Sequence, residues 1–529
     1  MPWSESRSKE RVEKHLANMG EINVSDLVRE VDDLEAILSE TECRNVLGAH
    51  VYVDISNFAA LAADKTMSSD GYKRLIQALH VYQCEATDIV EGIFDGYRVH
   101  FQGSRAHALL YRPVNDAASA AKHAALLLLV MSDFVRSVFN AEFDDYADWR
   151  VGGGADVGDA IGTKNGKRGD RELLFIGDPA NQAAKIMRGT SSLMITPALY
   201  EQLPDDIREC CLELSDGNHK MSADRSALDD LCAEHGIKWD REACAARLAD
   251  GRKALPLRDI ECSEANEPVD LSRLSPKNSK RVCGASVFSD ISGFTKYVAD
   301  AVTDEEKASA LRVFHVIRKE STKVISADYP GVRIQFQGDR VQALFHTPKD
   351  HRRGICSAAV NVAISLQSSL EQVIKKVMPE AAPLKLAVGV DVGTTLVTRL
   401  GSRGDRDNVC LGTAVEQAAR LEEASSGGSI AISADVYAEL EEELQSHFVF
   451  DENAGCYRAS NLTWESAELK DAAAMYDAGG EVTLEAIAFG AVIGVAAVGA
   501  AAASKRALES STTRVQPARS YAPAPTDVE

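Results

Sequence analysis

The sequence predicts an α+β protein made of two tandem domains, each of βαββαβ order, paired within one chain. Three observations carry that expectation. First, a long stretch occurs twice. Val-Tyr-Val-Asp-Ile-Ser-Asn-Phe around Asp54 recurs as Val-Phe-Ser-Asp-Ile-Ser-Gly-Phe around Asp290. Phe101-Gln102-Gly103-Ser104-Arg105 recurs as Phe336-Gln337-Gly338-Asp339-Arg340, and Gly177 to Lys185 recurs as Gly412 to Arg420. The displacement stays at about 235 residues, far longer than a solenoid unit, so a whole domain is duplicated. Second, apolar positions alternate in some stretches and follow helical spacing in others, the mark of strands interleaved with helices. Third, the composition is 45% hydrophobic and 26% charged over 529 residues, a globular balance with room for two or three cores.

The elements follow in order. Residues 5–42 are charged with apolar positions near helical spacing, and predict one or two amphipathic helices within an N-terminal segment 1–44. The first copy spans 45–205. Residues 206–280, polar and acidic with Pro256, Pro268 and Pro276, read as an insert or helical linker. The second copy spans 281–445 and shows the alternation most clearly. Residues 282–289 form a short apolar strand, and Thr303 followed by Glu306 is a capping-box signature. Leu311, Phe314, Ile317 and Val324 then recur near a helical period. Ile334 and Phe336, then Val341, Ala343 and Phe345, alternate around a hairpin turn at Gly338-Asp339. Leu384, Leu386, Val388, Val390 and Val392 predict another strand, and Gly412 to Ala424 another helix. This order fits a sheet with helices on one face.

After an extension at 446–485, residues 486–503 carry no charge, a length near the minimum for a membrane span. They are mostly Ala and Gly, so a packed small-residue helix competes with a tail anchor or membrane contact. Residues 504–529, with Pro517, Pro523 and Pro525, read as a disordered tail.

The net charge of −22 argues against a nucleic-acid binder, which needs clustered Lys and Arg. A nucleotide pocket stays open, since a metal ion can offset local charge. Eleven cysteines without a C-x-x-C pair, and no secretory signal, suggest reduced thiols and a cytoplasmic location. The group Cys210, Cys211, Cys232, His235 and Cys244 fits no standard zinc spacing.

The chemistry lies in how the copies differ. Asp290 ends a strand and Asp339 sits at a hairpin turn, so the two carboxylates can converge on Mg²⁺ or Mn²⁺. Gly293-Phe294 would let backbone N–H groups approach phosphates. The bland reading of the same residues is a pair of turn-capping aspartates. Copy one keeps Asp54 but has Ser104, a poor divalent-metal ligand, in place of Asp339. On the later helix copy one has Asn181 and Lys185, an amide and a cation on one face, where copy two has Glu416 and Arg420. An amide and a cation can orient a ribose and stabilise charge on a phosphate, whereas Glu416 would repel one. One working site is therefore expected from Asp290, Asp339, Asn181 and Lys185. A degenerate site is expected from Asp54, Ser104, Glu416 and Arg420. Arg340 either contacts phosphate or pairs with nearby carboxylates, and His100 either contacts a base or packs in the core.

These motifs resemble those of the class III nucleotidyl cyclases: Phe-x-Asp-Ile-x-Gly-Phe, Gly-Asp on a hairpin, and Gly-x-x-Val-Asn-x-Ala-x-Arg on a helix. Copy two shows Phe288 to Phe294, Gly338-Asp339 and Gly412 to Arg420 in those places. The resemblance implies ferredoxin-like domains arranged head to tail, here as an intramolecular pseudo-dimer. It implies two divalent cations held at Asp290, Ile291 and Asp339, and a nucleoside triphosphate substrate contacted at Gly293, Phe294 and Arg340. The positions that read adenine in adenylate cyclases hold His100 and Leu174 in this working site, and Gln335 and Val409 in the other. Neither the adenine pair nor the Glu/Cys-type guanine pair is present, and Lys185 stands where Arg is usual. The run Ala180-Asn181-Gln182-Ala183-Ala184-Lys185 resembles the pyrimidine cyclases of bacterial Pycsar anti-phage systems. That implies cyclic UMP or cyclic CMP made upon phage infection and sensed by a separate effector protein. A purine cyclase with an atypical pocket and a non-catalytic nucleotide sensor are the competing expectations, and a further oligomer is compatible with either.

Overall fold

The computed structural model describes residues 2–466 apart from 30–32, 66–68, 166–171, 188, 190 and 403–405. The expected apolar segment 486–503 and the tail lie outside the described residues.

Each copy forms a nine-stranded sheet, and the two sheets share one strand order. In the first, the hairpin Tyr97–Gln102/Arg105–Leu110 pairs antiparallel with Glu42–Ile55, which pairs antiparallel with Val151–Asn165. In the second, Val332–Gln337/Arg340–Phe345, Asn278–Ser292 and Lys385–Leu400 repeat the arrangement. The expected βαββαβ unit is thus present twice. The strand period of two sorts the residues. Ala49, Val51, Val53 and Ile55 enter the core under the helices Ser69–Thr87 and Ala117–Asp133. His50, Tyr52 and Asp54 alternate with them and face the other way. Ala285 and Val287 are core in the second copy, leaving Phe288 and Asp290 one step out of phase, with Asp290 half-buried.

Local signals behave as the sequence suggests. Thr303 Oγ1 accepts the Glu306 N–H and Glu306 accepts the Thr303 N–H, so the capping box starts helix Asp304–Lys323. The segment Ala117–Glu142 is long and apolar enough to cross a membrane, yet 72% of its apolar window is buried against the sheet. Among the described residues of 5–42 lie the helix Glu5–Asn18, the strand Asn23–Asp26 and a one-turn helix, Leu34–Ile37.

Residues 206–280 do more than connect. Cys211–Glu213 and His219–Met221 complete the first sheet, as Val449–Asp451 and Cys456–Ser460 complete the second. The helix Arg241–Ala254 packs on the first domain, where Arg247 donates twice to Glu85 at 2.6 and 3.0 Å. The helix Glu5–Asn18 packs on the second, where Arg11 bonds both Glu320 and Asp328. Arg11 and Arg247, and Glu85 and Glu320, keep the repeat displacement. The duplicated unit therefore begins with an arm helix, and the arms are exchanged between the domains. In the group Cys210, Cys211, Cys232, His235 and Cys244, His235 meets Asp206 at 2.6 Å and the cysteines form no disulfide.

The domains also complete each other's cores. Leu396, Leu400, Val409 and Leu411 of the second copy lie in the first core. Ile161, Leu174 and Ile176 of the first lie in the second. A matching carboxylate pins each junction. Asp407 accepts from Arg98 Nη1 at 2.7 Å and the Phe101 N–H at 3.0 Å, and Glu172 accepts from Arg333 Nη1 at 2.9 Å and the Phe336 N–H at 3.4 Å.

Candidate active site

The out-of-phase face of each first strand meets the other copy, and two unequal sites form there. In both, a two-residue turn begins with a glycine at positive φ, Gly103 at 63° and Gly338 at 70°, and presents the next side chain beside the strand-end aspartate.

In one site that next side chain is Asp339. Burial and the adjacent Asp290 charge push its carboxyl well above the usual carboxylate range. Two carboxylates set so close are a donor set suited to a hard divalent cation. Ile291, 2% exposed, can add only its backbone carbonyl. Among the described residues no three His, Cys, Asp or Glu side chains are grouped to hold a metal, so such a site relies on these two carboxylates, backbone and substrate. Gly293 has φ of 88°, a conformation that favours glycine, and opens the short helix Phe294–Ala299. The Phe294 ring is buried and stacks on Phe314 at 4.8 Å, leaving its backbone amide as its polar contribution.

The first copy reaches this site through helix Asp178–Met187. Asn181 Nδ2 donates to Thr295 Oγ1 at 2.8 Å, directly after Gly293-Phe294, and Lys185 lies exposed one turn on. The helix sits close because Gly154 lies beneath it; a methyl there would collide with the Ala183 carbonyl. The structure thus brings Asn181 and Lys185 to the loop that follows Asp290. Thr295 was not legible as a site residue, since it lies outside the repeated motif and its counterpart is Ala59.

In the other site Ser104 Oγ donates to Asp54 at 2.6 Å and Arg105 Nε donates to it at 3.3 Å. A hydroxyl and a guanidinium thus take up this carboxylate. Glu416 faces it, its carboxyl raised by burial and then by Asp54. These residues line a cavity of about 400 Å³ together with Arg340 and Arg420. Here phosphate would meet Glu416 and Asp54, and a cation would meet three guanidiniums.

Arg340 separates the two. Its counterpart Arg105 reaches Asp54, but Arg340 turns back to Glu422 at 2.6 Å and Glu423 at 3.5 Å, over the Phe288 ring. Of the two expectations for Arg340, carboxylate pairing is what the structure contains. Leu174 is 3% exposed and packs in the second core, so it brings no polar group to a base. His100 is half-buried; it accepts a hydrogen bond from Gln102 at 2.9 Å and touches the His107 ring.

Residues 277–457 match the family model of the adenylate and guanylate cyclase catalytic domain. A uridylate cyclase of Pseudomonas aeruginosa is 30% identical over 470 residues, covering 84% of this chain and 88% of that protein. A uridylate cyclase of a Rhizobium species is 26% identical over 473 residues, covering 82% and 87%. The crystal structure of a class III adenylyl cyclase-like ATP-binding protein from Pseudomonas aeruginosa matches with a TM-score of 0.77 at 26% identity, covering 88% of this chain and 99% of that one.

Proposed function

The chain belongs to the class III nucleotidyl cyclases, in the branch of the uridylate cyclases, and from that premise we propose that it converts UTP to 3′,5′-cyclic UMP and pyrophosphate at the Asp290/Asp339 site. The observation that carries the reading is the Asn181–Thr295 bond, which joins the first copy's helix to the second copy's loop after Asp290.

Asp290 and Asp339, with the Ile291 carbonyl, are the groups that would hold two divalent cations, Mn²⁺ or Mg²⁺. Such ions supply charge neutralisation at the triphosphate and acidify the ribose 3′-hydroxyl. The chain's own residues do the positioning. Asn181 orients the ribose so that its 3′-oxygen stands in line with the α-phosphorus. As the 3′-hydroxyl gives up its proton to solvent, its oxygen forms the new ester bond to the α-phosphorus, and the bond from that phosphorus to the bridging oxygen breaks to release pyrophosphate. Lys185 balances charge on the phosphate as pyrophosphate departs. Backbone amides at Gly293 and Phe294 approach the phosphates, and His100 faces the base. Arg340 is drawn back by Glu422 and Glu423, which supports a carboxylate-pairing role.

The resemblance of the Asn181–Lys185 helix to the Pycsar cyclases supports a role in phage defence in the cytoplasm, with a separate effector sensing the product. The test is to incubate the full chain with Mn²⁺ and each of ATP, GTP, CTP and UTP, and to identify products by mass. Cyclic UMP is the expected product. Cyclic CMP would retain the pyrimidine reading and change the base. Cyclic AMP or GMP would overturn both base and defence role, and no product from any nucleotide would favour a sensor.

A further inference from the structure

Behind the hairpin that bears Asp339 lies a buried guanidinium that the other half of the molecule lacks. Arg318, on helix Asp304–Lys323, is 1% exposed. By the repeat displacement its counterpart on helix Ser69–Thr87 is Gln83, which is fully buried and donates to the Gly103 carbonyl at 2.8 Å. A neutral amide thus serves the degenerate half and a charge the working half. Burying a guanidinium costs free energy unless it is paired. Arg318 is paired only in part. Its Nη2 donates to Glu172 of the first copy at 2.6 Å, while Nε and Nη1 have no hydrogen-bond partner among the described residues. The guanidinium sits over the Phe336 ring at 3.8 Å.

The two junctions between the copies show what the extra cation adds. At the degenerate half Asp407 accepts from Arg98 and from the Phe101 N–H. At the working half Glu172 Oε1 accepts from Arg333 and from the Phe336 N–H in the same way. Glu172 is one methylene longer than Asp407, and its Oε2 takes Arg318 as well. One carboxylate therefore holds two elements of the second copy, the hairpin that leads to Asp339 and the helix Asp304–Lys323. Both guanidiniums cover Phe336, Arg318 at 3.8 Å and Arg333 at 4.9 Å. Glu172 in turn opens the strand Glu172–Ile176, which runs through Gly177 into the helix that bears Asn181 and Lys185. Leu174 and Ile176 of that strand belong to the second core. Arg318 also stands within electrostatic reach of Asp339 and of His100.

Resting on the cyclase reading above, we infer that Arg318 is a positioning residue for cyclisation. Through Glu172 it locks the strand that leads to Asn181 and Lys185 against the hairpin that carries Asp339. The ribose side of the site comes from one copy and the carboxylates from the other, so this lock sets their mutual register. A misplacement of about 1 Å can cost on the order of a hundredfold in rate. Loosening the lock therefore lowers rate more than affinity.

The test is steady-state kinetics of the full chain with Mn²⁺ and UTP. The variants are Arg318→Gln, Arg318→Lys, Glu172→Asp, Asn181→Ala and the double variant of Arg318→Gln with Asn181→Ala. Arg318→Gln and Glu172→Asp each install the residue found at the other junction. Both should lower kcat about tenfold or more, with KM for UTP within about threefold of the parent. Arg318→Lys keeps the charge but not the planar fork, and should recover only part of the loss. In the Asn181→Ala background the effect of Arg318→Gln should shrink to within about twofold, because both changes act on one alignment. Amide hydrogen exchange over residues 172–187 should quicken in Arg318→Gln. A merely structural loss would lower the folded fraction and leave kcat per folded molecule unchanged. The inference fails if folded Arg318→Gln keeps the parent's kcat, or if its loss multiplies undiminished with that of Asn181→Ala. Should Arg318→Gln not fold, Glu172→Asp carries the same comparison. Either failure with cyclic UMP still made by the parent leaves the enzyme reading standing. If the parent makes a different cyclic nucleotide, the base assignment falls and the same cycle on that nucleotide decides the inference. If it makes none, both fall together.

Discussion

At the scale of single residues, duplication has left matched positions that now do opposite work. Asp54 and Asp290 end equivalent strands, yet Asp54 is taken up by Ser104 and Arg105 whereas Asp290 faces Asp339. Asp290→Ala is therefore expected to lower kcat by roughly a thousandfold or more. Asp54→Ala should leave most activity and cost about 1–2 kcal/mol of stability, because it unpairs Ser104 and Arg105. Product formation by mass and denaturant unfolding of both variants check this, and equal loss of activity in the two would sink the unequal-site model. The asymmetry was legible in the sequence because it resides in the identities at Ser104/Asp339 and Asn181/Glu416. A row of histidines, His50, His100 and His107, was not, since strand register and a bulge assemble it beside Tyr52.

At the scale of elements, the exchanged arms differ in how strongly they are anchored. Arg11 is 16% exposed in its side chain and serves Glu320 and Asp328, which are 1% and 2% exposed. Arg247 is 44% exposed, hydrogen-bonds Glu85 and feels the charge of nearby Asp88. Removing Arg11 leaves Glu320 with only the Ser8 and Ser369 hydroxyls and Asp328 with Arg7 at 3.4 Å, so Arg11→Ala should cost about 3 kcal/mol. Arg247→Ala should cost distinctly less, because its guanidinium is already partly hydrated. Urea unfolding ranks the two, and a larger loss from Arg247→Ala would contradict the anchoring described. Sequence periodicity found the capped helix at Asp304 and the hairpin at Gly338-Asp339, whose signals are local. It did not reveal that Arg241–Ala254 repeats Glu5–Asn18. That kinship rests on a few anchoring residues in a diverged, polar background, and their partners lie far away in the chain.

At the scale of the whole molecule, buried imidazoles make the fold sensitive to acid. His50 and His100 are lowered to about 3 and His107 well below 6.5, in each case first by burial. The unfolded chain protonates these rings near 6.5 and the folded chain does not. Their contribution is fully present above about pH 6.5 and is lost as pH falls toward 3. Buried Asp156 and Asp391, raised by burial, act in the opposite sense, so the informative comparison is between parent and variant. Tm should fall between pH 7.5 and 4.5, and His107→Gln should show a shallower fall. Identical slopes would refute the assignment.

The reciprocal cores also bear on how the chain is made. Leu396, Leu400, Val409 and Leu411 finish a core whose other members are mostly synthesised before residue 261. At ribosomal rates of about 5–20 residues per second, the first domain waits roughly 10–30 s with an apolar gap open. Over that interval the nascent half is a natural client for chaperones, and translation must run to the far hairpin before either half can close.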